Sequence, residues 1–132
     1  MHNLKFSKIK HLKLGKKGET IACRLLRNKD YDILQRNFKS PKGEIDIIAR
    51  DGSILCFIEV KTRSYSRKRK AQRAPWVGHK QSKRIKKAAM DYIYSLGISQ
   101  KIRYRFDLIE ITATPYSIKN ISHWLNNFGR ST

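Results

Sequence analysis

Residues Gly43 to Lys61 read GEIDIIARDGSILCFIEVK, and the rest of the chain is organised around them. Two runs rich in Ile, Val and Phe flank Asp51 and Gly52, a short-range signal for a β-hairpin with a tight turn. Side chains two apart on a strand share a face, which couples Glu44 with Asp46 and Glu59 with Lys61. Twelve residues separate Asp46 from Glu59, a spacing that lets the hairpin bring both carboxylates together near its open end. Carboxylates desolvated side by side repel and shift towards the neutral form, so a divalent cation is their natural companion. A plainer reading is open at this point: Glu59 and Lys61 as a solvated pair at a strand end, with Glu44 and Asp46 answering surface cations. Four of the ten acidic residues fall between Glu44 and Glu59, which gives weight to a single constellation.

Asp46, Glu59 and Lys61 resemble, position by position, the pattern of the PD-(D/E)xK nuclease superfamily, in which an Asp on one strand and an acid-x-Lys on the next carry the chemistry. Over about residues 12 to 128 the chain further resembles the YraN family of small bacterial endonuclease-like proteins. The likeness lies in Gly15, Gly18 and Glu19, in Tyr31, Arg36 and Asn37, in GEIDIIARDG and FIEVKTR, in Lys80 and Arg84, and in Arg105, Phe106 and Asp107. The resemblance implies a restriction-endonuclease-like fold similar to that of Holliday junction resolvases, with Asp46 and Glu59 binding Mg²⁺ or Mn²⁺ and Lys61 orienting the attacking water. Glu44 and Glu19 are auxiliary catalytic candidates, since in such nucleases an acid on the first helix approaches the metal. Arg73, Ala74, Pro75, Trp76 and Val77 depart from the family, which has a Gly-containing loop and an E-A-V-like stretch there, so substrate preference transfers less than core chemistry.

A net charge of +20 and a pI near 10.4 point to a polyanionic partner. DNA is expected ahead of RNA. No apolar run reaches the ~20 residues that span a bilayer and no signal-peptide core follows the basic start, so no membrane partner and a cytoplasmic location are expected. Residues 1 to 14 read as a basic flexible arm and residues 15 to 132 as a single nuclease-like domain. For the arm alone, a solvated terminus without a role is an equal reading. Cys23 and Cys56 lack metal-ligand spacing and read as reduced core thiols.

Outward from the hairpin, residues 18 to 28 predict a helix with Glu19 inside its apolar arc, and residues 31 to 38 a first strand. The hairpin then completes an antiparallel meander, with the site at one edge of it. Thr62 to Val77 is a long polar stretch in which Arg63, Arg67, Arg69 and Arg73 are candidates to grip phosphates. His79 to Leu96 is the clearest helix: Ile85, Ala88, Ala89, Tyr92, Ile93 and Leu96 face the sheet, Lys80 and Arg84 face phosphate, and Gly97 caps the end. Gln81 lies near the hairpin mouth with a minor role at most. Arg103 to Ile111 predicts a strand reached by a crossover, with Asp107 as ion-pair partner of Arg105 and Arg103. A short strand over residues 118 to 121 follows, with apolar cover from Trp124 and Phe128.

The expected fold is α/β and restriction-endonuclease-like: a central mixed β-sheet with an antiparallel three-strand meander, flanked by two helices. The expected function is a metal-dependent endonuclease hydrolysing DNA phosphodiester bonds, at branched or otherwise structured DNA. Resolvase-like cutting of two strands would need a homodimer. The rival is a non-catalytic DNA- or RNA-binding module on the nuclease scaffold, which would gain nothing from Glu44, Asp46 and Glu59 facing a polyanion.

Overall fold

In the hairpin Ile45, Ile47, Ile48 and Ala49 are buried, and so are all four residues from Leu55 to Ile58. Such continuous apolar runs have no solvent face, so the strands need cover on both sides. The computed structural model describes residues 14–66, 77–98 and 101–126. Its elements are α1 (Leu14–Asn28), β1 (Asp32–Ser40), β2 (Gly43–Asp51), β3 (Ile54–Ser64), α2 (His79–Ser95), β4 (Tyr104–Ala113) and β5 (Ile118–Trp124). The strands form one sheet in the order β1-β2-β3-β4-β5. Every neighbouring pair is antiparallel except β3 and β4, which are parallel and joined through α2. This is the α/β arrangement and strand order of the restriction-endonuclease-like fold.

The helices cover opposite faces. Ile21, Ala22, Cys23 and Leu26 of α1 pack with Ile47, Ala49, Cys56, Ile58, Ile109 and Ile111. Ile85, Ala88 and Ala89 of α2 pack with Ile45, Ile48, Leu55, Phe57, Phe106 and Leu108. Gly18 of α1 faces β3, where an added Cβ would stand 2.2 Å from Thr62 Oγ1. Both cysteines are free and buried. No helix among the described residues is long and apolar enough to cross a membrane.

Four details differ from the sequence reading. α1 starts at Leu14, a turn before Gly18 and inside the range read as the arm. The hairpin turn is Gly52 and Ser53, since Asp51 pairs with Ile54 and Gly52 takes φ 59°. Leu96 is exposed because α2 ends at Ser95, just ahead of Gly97 at φ 63°. The open end of the hairpin is not at an edge of the sheet, because β4 pairs beyond β3 and makes β3 the central strand. Residues 1–13, Arg67, Arg69, Arg73 and Phe128 lie outside the described residues.

Candidate functional site

Alternation along β2 breaks at Asp46. Ile45 joins the apolar cluster under α2, yet Ile47 joins the one under α1, although two residues apart on a regular strand share a face. Opposite Asp46 on β1, between the pairs Arg36–Ile47 and Phe38–Ile45, Asn37 takes φ 52°. A left-handed non-glycine residue inside a strand is uncommon, and such distortion concentrates at functional sites. The β2–β3 ladder runs from Asp51–Ile54 to Ile47–Ile58. Just past it, Asp46 Oδ2 accepts the Val60 N–H at 2.8 Å, so a side chain replaces a main-chain acceptor.

Three elements bring acids to this end of the hairpin. Glu59 is buried on β3 and accepts a hydrogen bond from Gln81 Nε2, which reaches across from the first turn of α2. Burial, then the charge of Asp46, push the Glu59 carboxyl up to about 8. Glu19 approaches from α1, and its Oε1 is buried with no hydrogen-bond partner among the described residues. Burial, then Asp46, hold Glu19 above its ordinary value, with Glu44 adding to the repulsion, while Arg36 and the Asn37 side chain draw it back. Lys61 follows on the Glu59 face, and its charge offsets part of the burden on Glu59.

Charge bookkeeping makes the cluster unusual. The chain has 30 Lys and Arg residues, yet none of Glu19, Glu44, Asp46 and Glu59 has an ion-pair partner among the described residues. Asp32, Asp51, Asp91, Asp107 and Glu110 all do, and the exposed Asp30 is the other acid without one among the described residues. Surface answering of cations therefore does not describe these four acids.

No group of three or more His, Cys, Asp or Glu side chains among the described residues is placed to hold a metal ion together. The donor set nevertheless fits a hard divalent cation. Mg²⁺ takes one or two carboxylates and keeps several waters, which Asp46 and Glu59 satisfy without a third side chain, and the orphaned Glu19 Oε1 is an acceptor short of a donor or cation.

Of the other predicted contacts, Lys80 and Arg84 are exposed on α2. Arg63 Nε is bonded to Glu110 Oε2, and the rest of this side chain is part-exposed. Glu110 is the acid that sequence reasoning missed: buried on β4, it stands opposite Lys61 in the parallel register. Gln81 was also undervalued, since it contacts Glu59 directly. Its place on the apolar side of the first helical turn was the available signal. Asp107 bonds Arg105, as read from the strand, and belongs to a different network from Asp46 and Glu59.

Comparison with known proteins places the chain among close relatives. The model of the "Uncharacterised protein family UPF0102" matches residues 18–111. A UPF0102 protein of Clostridium botulinum (strain 657 / Type Ba4) is 40% identical over 117 residues, covering 83% of this chain and 91% of the relative. One from Chlorobium phaeobacteroides is 45% identical over 98 residues, covering 74% and 75%. One from Thermodesulfovibrio yellowstonii is 39% identical over 117 residues, covering 89% and 96%.

Proposed function

From the premise that the chain belongs to the UPF0102 family, the one its YraN resemblance pointed to, we propose that it is a metal-dependent endonuclease hydrolysing DNA phosphodiester bonds, at branched or otherwise structured DNA. The observation that carries this reading is the convergence of Glu19, Asp46 and Glu59 without an ion-pair partner among the described residues, in a chain of net charge +20. A protein that only binds polyanions has no use for buried acids at its surface cleft, whereas acids short of cations suit a phosphodiesterase.

Asp46 and Glu59 would hold a divalent cation, which supplies Lewis-acid polarisation of the scissile phosphate and offsets the negative charge gathered there. Asp46 is fixed for this by the Val60 N–H, which holds Oδ2 and leaves Oδ1 to point elsewhere. Gln81 fixes the Glu59 carboxyl in the same way through Oε2. Glu59 must give up its proton to serve as a ligand, so cation affinity rises with pH towards about 8. The Lys61 ammonium donates to the attacking water or to a non-bridging phosphate oxygen, and stabilises charge developing on the transition state. Glu19 and Glu44 orient water at the margin of the site.

The test is a panel of labelled duplex, flap, four-way junction, single-stranded and RNA substrates, incubated with Mg²⁺ or Mn²⁺ against a chelator control. Metal-dependent cleavage of DNA is the expected result. Tight binding with no cleavage of any substrate in either metal would return the protein to a non-catalytic module.

A further inference from the structure

The β1–β2 turn and the start of α2 wall a cleft of about 530 Å³, within the size range of small-ligand sites. Lys39 and Lys42 come from the turn side, Arg84 comes from α2, and Glu44 and Gln81 share the lining. The wall is held in place by two features. A Cβ on Gly43 would stand 2.7 Å from the Arg84 carbonyl oxygen, so only glycine lets the turn approach the helix this closely. Lys42 Nζ then lies 3.4 Å from Asp91 Oδ1, tying the turn to α2 a second time. Lys39 and Arg84 are exposed and have no ion-pair partner among the described residues.

The cleft is continuous with the acidic site. Gln81 lines it and donates to Glu59, while Glu44 lines it and bears on Glu19. Cations converging from two elements on a concave surface complement a phosphate, with Arg supplying a planar fork and Lys a mobile point charge. Glu44 stands directly across from Lys39 in the β1–β2 register and marks where the cationic wall meets the acids.

We infer that this cleft seats the strand phosphate neighbouring the one to be cleaved, held by Lys39, Lys42 and Arg84. This deepens the nuclease reading and rests on it for the word "cleaved", while the phosphate contact stands on the cleft itself.

The experiment measures binding without metal, in chelator, so that it is independent of cleavage. A labelled oligothymidylate is titrated by anisotropy against wild type and the Lys39→Ala, Arg84→Ala double variant, both changes lying on exposed side chains. Thymidylyl-thymidine and inorganic phosphate are titrated separately while the amide NMR signals of residues 39 to 43 are followed. The double variant is expected to weaken oligonucleotide binding by about tenfold or more and to flatten its log–log salt slope by roughly one to two. The dinucleotide should shift the turn amides at concentrations where phosphate does not. Gly43→Ala, which pushes the wall away from Arg84, should lower affinity as well. Unchanged affinity in the double variant overturns the inference. So does inorganic phosphate shifting the same amides as strongly as the dinucleotide, since the site then reads a free anion. Cleavage by wild type in Mn²⁺ with an unaltered KM in the double variant removes the cleft and leaves the nuclease reading intact. Oligonucleotide binding mapped to the turn with no cleavage does the reverse.

Discussion

Asp107 and Glu59 are carboxylates buried on adjacent central strands, and their surroundings drive them in opposite directions. Asp107 pairs in register with Ile58, one residue from Glu59, yet it points to the α1 side of the sheet. There it accepts from Arg105 Nε at 3.0 and 3.1 Å, from His123 Nε2 at 2.9 Å and from the Asn126 N–H at 2.9 Å. Arg105 is itself bonded to Asp51 and to the Tyr31 hydroxyl, and Lys29 reaches the other nitrogen of His123. Burial pushes Asp107 up, but these donors outweigh it and hold the group below the ordinary carboxylate range. Glu59 has Gln81 as its side-chain donor, together with the nearby charge of Asp46, and burial prevails. One carboxylate is completed by the fold. The other is left for something the fold does not supply.

The contrast makes its largest prediction at Asp46. Asp46→Asn keeps shape and can still accept the Val60 N–H, so its loss of charge should cut cleavage by several orders of magnitude. In chelator its melting temperature should be unchanged or higher, with the gain growing as pH passes about 8 and Glu59 ionises beside it. A marked drop in melting temperature without metal would make Asp46 structural and collapse the contrast.

Asp107→Asn should behave in the opposite way. It removes the buried carboxylate that Arg105 Nε, His123 and the Asn126 N–H share, while Arg105 keeps Asp51 and Tyr31, and should destabilise the domain by on the order of 1–3 kcal/mol, measured by chemical denaturation in chelator. Stability close to wild type would show that the Arg105 and His123 contacts contribute little.

The pH dependence has opposite signs at the two places. Glu59 is raised from 4.5 to about 8, so the native state retains a proton that the unfolded chain has released. Its contribution to stability is full below its unfolded value and is lost as pH rises through about 8. Asp107 is lowered, so its contribution is present above the ordinary Asp value and is lost as pH falls through its folded one. In chelator, melting temperature should therefore fall between about pH 5 and 8, and Glu59→Gln should remove most of the fall, leaving the same-sign share of Glu19, which is also raised. A slope unchanged by this substitution would assign the effect to another group.

The smallest effect is expected at Gly18. A Cβ there would stand 2.2 Å from Thr62 Oγ1 and no closer than 3.5 Å to any other atom, so Thr62 turns to another rotamer and Gly18→Ala should cost roughly 1 kcal/mol or less. Chemical denaturation in chelator checks this, and a loss of several kcal/mol would show that Thr62 cannot turn.

The sequence made the hairpin legible because its two apolar runs and the Asp51-Gly52 signal between them are local, although the turn itself falls one residue later at Gly52 and Ser53, and the spacing of Asp46 and Glu59 then placed both acids at its open end. The two helices followed from apolar periodicity. The distortion at Asn37 and Asp46 was not legible, because a left-handed Asn inside a strand is set by the tertiary environment and leaves no periodic trace. The bond from Gln81 to Glu59 spans the stretch between β3 and α2, and the Arg63–Glu110 pair depends on a parallel register that no turn dictates. The completion of Asp107 by His123 and Asn126 likewise needs β5 placed beside β4. These contacts are long-range, and single-residue patterns cannot announce them.

The titration of the Glu59 carboxyl by carbon-13 NMR, with and without Mg²⁺, decides whether this acid is left for a cation. A midpoint near 8 is expected in chelator, set by burial and Asp46, with a displacement to lower pH once Mg²⁺ is added, because the cation favours the ionised form. A midpoint in the ordinary carboxylate range in chelator, or one that Mg²⁺ leaves unmoved, would show that Glu59 is not a cation ligand.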